Sequence, residues 1–381
     1  MGDIMDEIYE NMKKYTDLLN YAYVKANTKS KRRQVASSLF RFSIMCHNKG
    51  IATEKFDWEY DDKLMYLLDN DIYFFRGNIL KNKDIYLKIS DSVIDSYVST
   101  SYPLYLKDID SYRRYHSFSD KEMLDISISF LNNFDSTLAR DFINKVNDGN
   151  LFISSIEDKN TFGETCENSV LGKNFMFVES ERDGSSSIRV AASTMHEYGH
   201  DFEMSLYHKI GLVNEMYNYP FHEVSSQFME YAFINYLIEN NIYTKDALLH
   251  QRIYFDELFY FILGMNIFSE MEKVNNSEYN IDPDFMEEKQ SSICERVNYY
   301  GFNKIDINQF DNAYIYGLGY LVSPYLYENY KEDPKYFMKE FKNALLNYPY
   351  TNSIDSFKGV GVTSDILIKG DVLKRILKNI R

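Results

Sequence analysis

His196 and His200 stand four residues apart in the segment STMHEYGHDFEM, residues 193–204, and Glu197 directly follows the first of them. On a helix, positions i and i+4 lie one turn apart on the same face, so both imidazoles can direct a ring nitrogen at one ion. Two neutral imidazoles suit zinc. A neighbouring carboxylate that does not bind the metal can take a proton from metal-bound water, which is the HExxH arrangement of metallopeptidases. The competing reading is an exposed helix that only happens to carry two imidazoles. Zinc needs a third protein ligand, and its position separates the classes. The extended pattern with Gly at 203 and His at 206 is excluded, because this chain has Glu203 and Leu206. Glu223 is the favoured third ligand: it lies 23 residues beyond His200, in the first turn of the strongly helical stretch YPFHEVSSQFMEYAFINYLIEN. His208, two helical turns beyond His200, and His222, turned about 100° from Glu223 on an ideal helix, compete for that role.

These residues need a helix to carry them and a core to hold it. The 381 residues are 45% hydrophobic and 16% aromatic, with 34 Tyr and 27 Phe, enough to bury a large core without covalent staples. Apolar positions Ile4, Ile8, Met12, Tyr15, Leu19 and Tyr23 recur at helical spacing, and similar stripes make the first third helical. Ser119 and Glu122 form a capping box, which opens a helix expected to run to about Asn133. The character changes at NDGN, residues 147–150. Short strands with Gly-containing turns follow, through LFISS, NTFGE and NFMFVES, before helical spacing returns near Ile188. The remainder is helical, with Asp282 and Pro283 as an N-cap and first-turn pair. The run LFYFILGMNIF at 258–268 is a core helix, too short to span a bilayer. The pattern predicts a mainly α, multi-helical fold with a small β-sheet beside the helix of the histidines. The expected division is an N-terminal helical region, 1–147, serving as a lid or cleft wall, and a catalytic region, 148–381.

Composition excludes several function classes. Asp plus Glu number 57 against 42 Lys plus Arg, a formal charge of −15 that repels phosphate backbones and anionic lipid. Neither nucleic acid nor a membrane is an expected partner. Cys46, Cys166 and Cys294 are odd in number and far apart, which fits a reducing cytoplasm, and Cys166 reads as a buried thiol rather than a nucleophile. The charged, amphipathic N-terminus does not read as a signal peptide.

The segments HEYGH at 196–200 and EVSSQFME at 223–230 together resemble the thimet oligopeptidase and oligoendopeptidase F family of zinc peptidases. In that family an HExGH helix is followed by a helix reading approximately Glu-Val-Ala-Ser-x-Phe-x-Glu. DKNTFGETC at 158–166, FMFVES before the zinc helix, and YPYTNSIDSFKGVGV near the end are similar to further family segments, so the likeness runs from about residue 150 onward. It implies one zinc ion on His196, His200 and Glu223, with Glu197 as the general base that takes the proton of the attacking water and then protonates the leaving amine. It also implies an oligopeptide substrate. DNAYIYGLGYLVSPYLY resembles the family's late tyrosine helix, which makes Tyr316 and Tyr320 the candidate oxyanion donors, ahead of Tyr314. Glu230, two turns after Glu223, is expected to hold the second N–H of a ligand histidine. Ser226 is a weaker candidate for that role, and Gly199 permits close approach of a neighbouring strand. NFMFVE at 174–179 is the expected sheet edge for a substrate strand.

Two departures stand out. Family members are usually much longer, which implies a reduced N-terminal lobe here. Where members carry a histidine ahead of the tyrosines, this chain has Asp311 or Asn308, and no histidine follows His250. Two other functions therefore stay in view: a dedicated processing peptidase for one peptide or leader, and a zinc-containing peptide binder without turnover.

Overall fold

The computed structural model describes residues 61–104, 115–154, 163–168, 173–181, 183–209, 221–275, 282–299, 310–351 and 354–380, together with Tyr21 and Lys25. The stripe from Ile4 to Tyr23 lies outside them, as does Cys46. The described chain is mainly α-helical with one small sheet. In order it comprises α1 (Asp61–Thr100), α2 (Asp120–Phe134), α3 (Ser136–Asn147), β1 (Leu151–Ser154), β2 (Gly163–Asn168), β3 (Lys173–Glu179), α4 (Ile188–Lys209), α5 (Val224–Glu239), α6 (Thr244–Asn275), α7 (Pro283–Arg296), α8 (Phe310–Glu332), α9 (Pro334–Thr351), a 3₁₀ turn (Ile354–Val360), α10 (Ser364–Lys369) and α11 (Asp371–Asn379). None of the described helices is long and apolar enough to cross a membrane. The chain forms two units, Met1–Tyr73 with Ser117–Tyr217, and Phe74–His116 with Asn218–Arg381. Residues 147 and 148 both fall in the first.

In the first unit, α2 starts where its cap predicts. Ser119 Oγ accepts the Glu122 amide at 3.2 Å, and the helix ends at Phe134, one residue past the expected end. Asp135 closes α2 and opens α3. Its backbone N–H returns to the Leu131 carbonyl, and its carboxylate accepts the Thr137 amide at 2.8 Å. The sheet has the order β1–β3–β2, with β1 parallel and β2 antiparallel to β3. This corrects the edge assignment: NFMFVE lies in β3, the central strand, which pairs with β2 from Lys173 to Val178 and with β1 from Met176 to Glu179, so it is not the free edge of the sheet. Parallel pairing of β1 with β3 placed β2 outside, an order no local pattern encodes. The sheet packs on α4 through β2 and β3.

In the second unit, α8 runs against both α5 and α6. Pro324 sits inside α8, where it supplies no amide to the Tyr320 carbonyl. The Tyr254 hydroxyl fills that gap by donating to the Tyr320 carbonyl at 2.9 Å, so α6 repairs the defect in α8. Leu258, Phe259, Ile262, Leu263 and Phe268 of α6 are buried, as the apolar run 258–268 predicts.

Gly319 brings α8 close to the start of α5. A Cβ there would lie 2.8 Å from the Glu223 carbonyl oxygen and 2.9 Å from Glu223 Cβ. Alanine should therefore force the helices apart, although it is the better helix former by about 1 kcal/mol. Gly319→Ala is expected to cost about 1–3 kcal/mol. Gly317→Ala, whose new methyl would meet Phe261 Cβ at 3.4 Å, should be nearly neutral. Thermal unfolding followed by circular dichroism checks both, and equal midpoints for the two variants would remove the close-packing account.

Candidate active site

Of the predicted residues, His196, Glu197 and His200 belong to the first unit, and Glu223, Tyr316 and Tyr320 to the second.

The helix α4 is not the exposed helix of the competing reading. Val190, Ala191, Met195, Tyr198 and Tyr207 are all fully buried, Glu197 is 4% exposed and His200 7%. His196 is half-buried. The two imidazoles sit edge to face with ring centroids 5.0 Å apart, the arrangement expected of side chains one turn apart on one face. Four contacts fix this helix in rotation. The Tyr198 hydroxyl donates to the Leu138 carbonyl at 2.8 Å and approaches Asp141 Oδ2 at 3.1 Å. Lys145 pairs with Asp201 at 2.9 Å. Asn174 Nδ2 donates to the Asp201 carbonyl at 3.2 Å. Burial pushes the Asp201 carboxyl above its ordinary range, and Lys145 opposes that rise.

The sheet reaches the same helix through β2. The Thr165 hydroxyl lies 2.6 Å from Glu197 Oε2, and a Cβ on Gly163 would fall 2.6 Å from Glu197 Oε1. Neither residue was singled out from the sequence as a site residue. The signal was present in DKNTFGETC, since Gly163 and Thr165 are two apart on a strand and so share a face.

In the second unit, Glu223 is the N-cap residue of α5, just ahead of its first turn, and is buried. The Ser226 hydroxyl lies 2.7 Å from Glu223 Oε2, so a residue predicted mainly for packing holds the carboxylate. Gly319, the neighbour of Tyr320, packs on Glu223, which gathers the candidate ligand and the tyrosine helix in one place. Tyr320 is 6% exposed, and its hydroxyl donates to Glu257. Burial, reinforced by the Glu257 charge, raises its pKa well above the ordinary phenol value, so it stays protonated. Tyr316 is half-buried and stacks on Phe261 with centroids 5.2 Å apart. Tyr314 is fully buried, 2.5 Å from Ser269 Oγ, and belongs to the core. Glu230 pairs with His250 Nε2 at 2.8 Å, and His250 Nδ1 meets the Tyr115 hydroxyl at 3.1 Å. Sequence reasoning missed His250 and Glu257 because nothing local marks either.

The donor types fit zinc: two imidazoles at the one-turn spacing on a buried helix, and a buried carboxylate oriented by a serine.

No protein-family model matches the sequence, and no curated protein matches it. Among solved structures, a proposed peptidase from Chlamydophila abortus is similar over 93% of this chain, with a TM-score of 0.59 and 12% identity. A proposed oligoendopeptidase F is similar over 97% of this chain and 74% of its own, with a TM-score of 0.50 and 12% identity. The chain spans 63% of the length of the Chlamydophila abortus protein. At such identity the likeness establishes a shared fold.

Proposed function

We propose that the chain is a zinc-dependent peptidase that hydrolyses peptide bonds in oligopeptides, with Glu197 as general base and His196, His200 and Glu223 as the metal ligands. The observation that carries this reading is the Glu197 carboxylate itself. It is buried, held by a threonine, and directly follows the first of two imidazoles that stand one turn apart. A binding protein needs the imidazoles but has no use for a buried, oriented carboxylate that is not a ligand. The peptidase descriptions of the two similar structures support the same reading.

When bound, zinc would polarise the scissile carbonyl and acidify a water molecule. The chain's own residues do the rest. Glu197 accepts the proton of the attacking water and passes it to the leaving amine nitrogen. A phenol donates to the oxygen on which negative charge develops, and that donor costs no reorganisation if it is already placed. Tyr316, half-buried on α8, takes this role most simply, because the Tyr320 proton is engaged by Glu257.

The test is hydrolysis of a mixed library of short quenched peptides. The zinc-loaded chain is expected to cut many of them. Dialysis against a chelator should reduce cleavage to background, and added zinc should restore it. Cleavage that survives complete removal of the metal would overturn the proposal, and cleavage of a single library member would narrow it to a dedicated processor.

A further inference from the structure

We infer that Thr165 is a positioning residue for the Glu197 base, and that β2 exists at this place in the sheet to hold that carboxylate in one orientation. The inference rests on the proposed function and deepens it.

The Thr165 hydroxyl has one proton and two acceptors in reach, Glu197 Oε2 at 2.6 Å and the Glu197 carbonyl at 2.9 Å. The carboxylate is the nearer and the more strongly charged acceptor, and charge-assisted hydrogen bonds are the shorter and stronger kind. Thr165 is 3% exposed and Glu197 4%, so water does not readily stand in for the hydroxyl. On the same face of the strand, Gly163 has no Cβ, and one built there would lie 2.6 Å from Oε1 and 2.8 Å from Cγ of Glu197. The strand thus restrains one carboxylate oxygen with a donor and leaves space for the other by omitting a side chain. The strand is itself fixed. Gly163 and Thr165 pair with Val178 and Met176 of the central strand, both of which are buried. A glutamate has three side-chain torsions, and a base that must meet its water in one geometry gains from having them set beforehand.

The experiment uses the zinc-loaded full chain with Thr165→Val, which keeps the branched shape and loses the hydroxyl, and Thr165→Ser, which keeps the hydroxyl. For a peptide cut by the wild type, kcat of Thr165→Val is expected to fall roughly 10- to 100-fold, with KM, bound zinc and melting temperature close to wild type. Thr165→Ser should recover most of the loss. In a Glu197→Gln background, Thr165→Val should lower the residual rate no further. An unchanged kcat in Thr165→Val overturns the inference, and so does a loss equally present in the Glu197→Gln background. If the wild type cuts nothing, the proposed function fails on its own. Crystal structures of wild type and Thr165→Val then decide: a rotated Glu197 carboxylate supports the positioning role, and an unmoved one ends it.

Discussion

Glu197→Gln is expected to lower kcat/KM by about 10²- to 10⁴-fold, the usual contribution of a positioned general base, while zinc stays bound. The substitution changes little except basicity. A glutamine amide has nearly the volume of the carboxylate, and its oxygen can still accept from the Thr165 hydroxyl, so the packing of β2 on α4 is retained. The imidazoles of His196 and His200 keep their edge-to-face arrangement, since neither depends on the charge at 197 for its place on the helix. What is lost is the ability to take a proton from water and deliver it to the departing amine. His200→Ala makes the contrasting variant, because it removes a ligand and should lose metal and activity together. Metal analysis alongside peptide hydrolysis separates the two cases. An undiminished rate in Glu197→Gln would remove Glu197 from the mechanism, and loss of zinc from that variant would make it a ligand instead of a base.

Local periodicity made part of this site readable. The one-turn spacing of His196 and His200, the start of α4 at Ile188, the Ser119 cap and the Asp282 cap all depend on residues within a turn of one another, and the structure has each of them where the sequence puts it. Ser226 stands in the same class. It is three residues from the carboxylate it holds, so the contact was available to helical geometry even though packing looked the better use. Strand order was not readable, because the pairing of β1 with β3 joins segments across an intervening strand, and nothing in NFMFVE says that both its edges are taken. The contacts that tune the site lie further away still. Thr165 reaches Glu197 across 32 residues, and Tyr320 finds Glu257 across 63. Glu230 has His250 as a partner on the next helix, 20 residues away. Only tertiary packing, of β2 on α4 and of α5, α6 and α8 on one another, brings such residues together, and it is set by side-chain shape and by glycines such as Gly163 and Gly319, not by any repeat in the sequence.

Lys145→Met should be among the most destabilising single changes in the first unit, at about 3–5 kcal/mol near neutral pH, the usual result of removing one partner of a buried ion pair. Lys145 lies in the last turn of α3, and its Nζ is 2.9 Å from Asp201 Oδ1, with the lysine side chain 14% exposed and the aspartate fully buried. The methionine stem replaces the packing of the lysine, so the loss measures the stranded charge. Its pH dependence has a definite sign. Burial already holds the Asp201 pKa above its ordinary 3.8, and Lys145 is the largest influence opposing that rise, so removing it raises the folded-state pKa further. The folded state then keeps a proton that the unfolded state releases, and stability falls as pH climbs from the unfolded pKa towards the folded one. The deficit of Lys145→Met is therefore small in acid, where Asp201 is neutral in both states, and grows to its full size as pH rises. Adding Asp201→Asn should recover most of the loss at neutral pH, because no charge is then left without a partner, and the pH dependence of the deficit should vanish with it. Denaturation midpoints of wild type, both single variants and the double variant, taken near pH 4 and near pH 8, test this directly. A deficit that is the same at both pH values would mean that Lys145 stabilises α4 by packing alone. Because Asp201 directly follows His200, that result would also remove the ion pair from the contacts that hold the histidine helix in rotation.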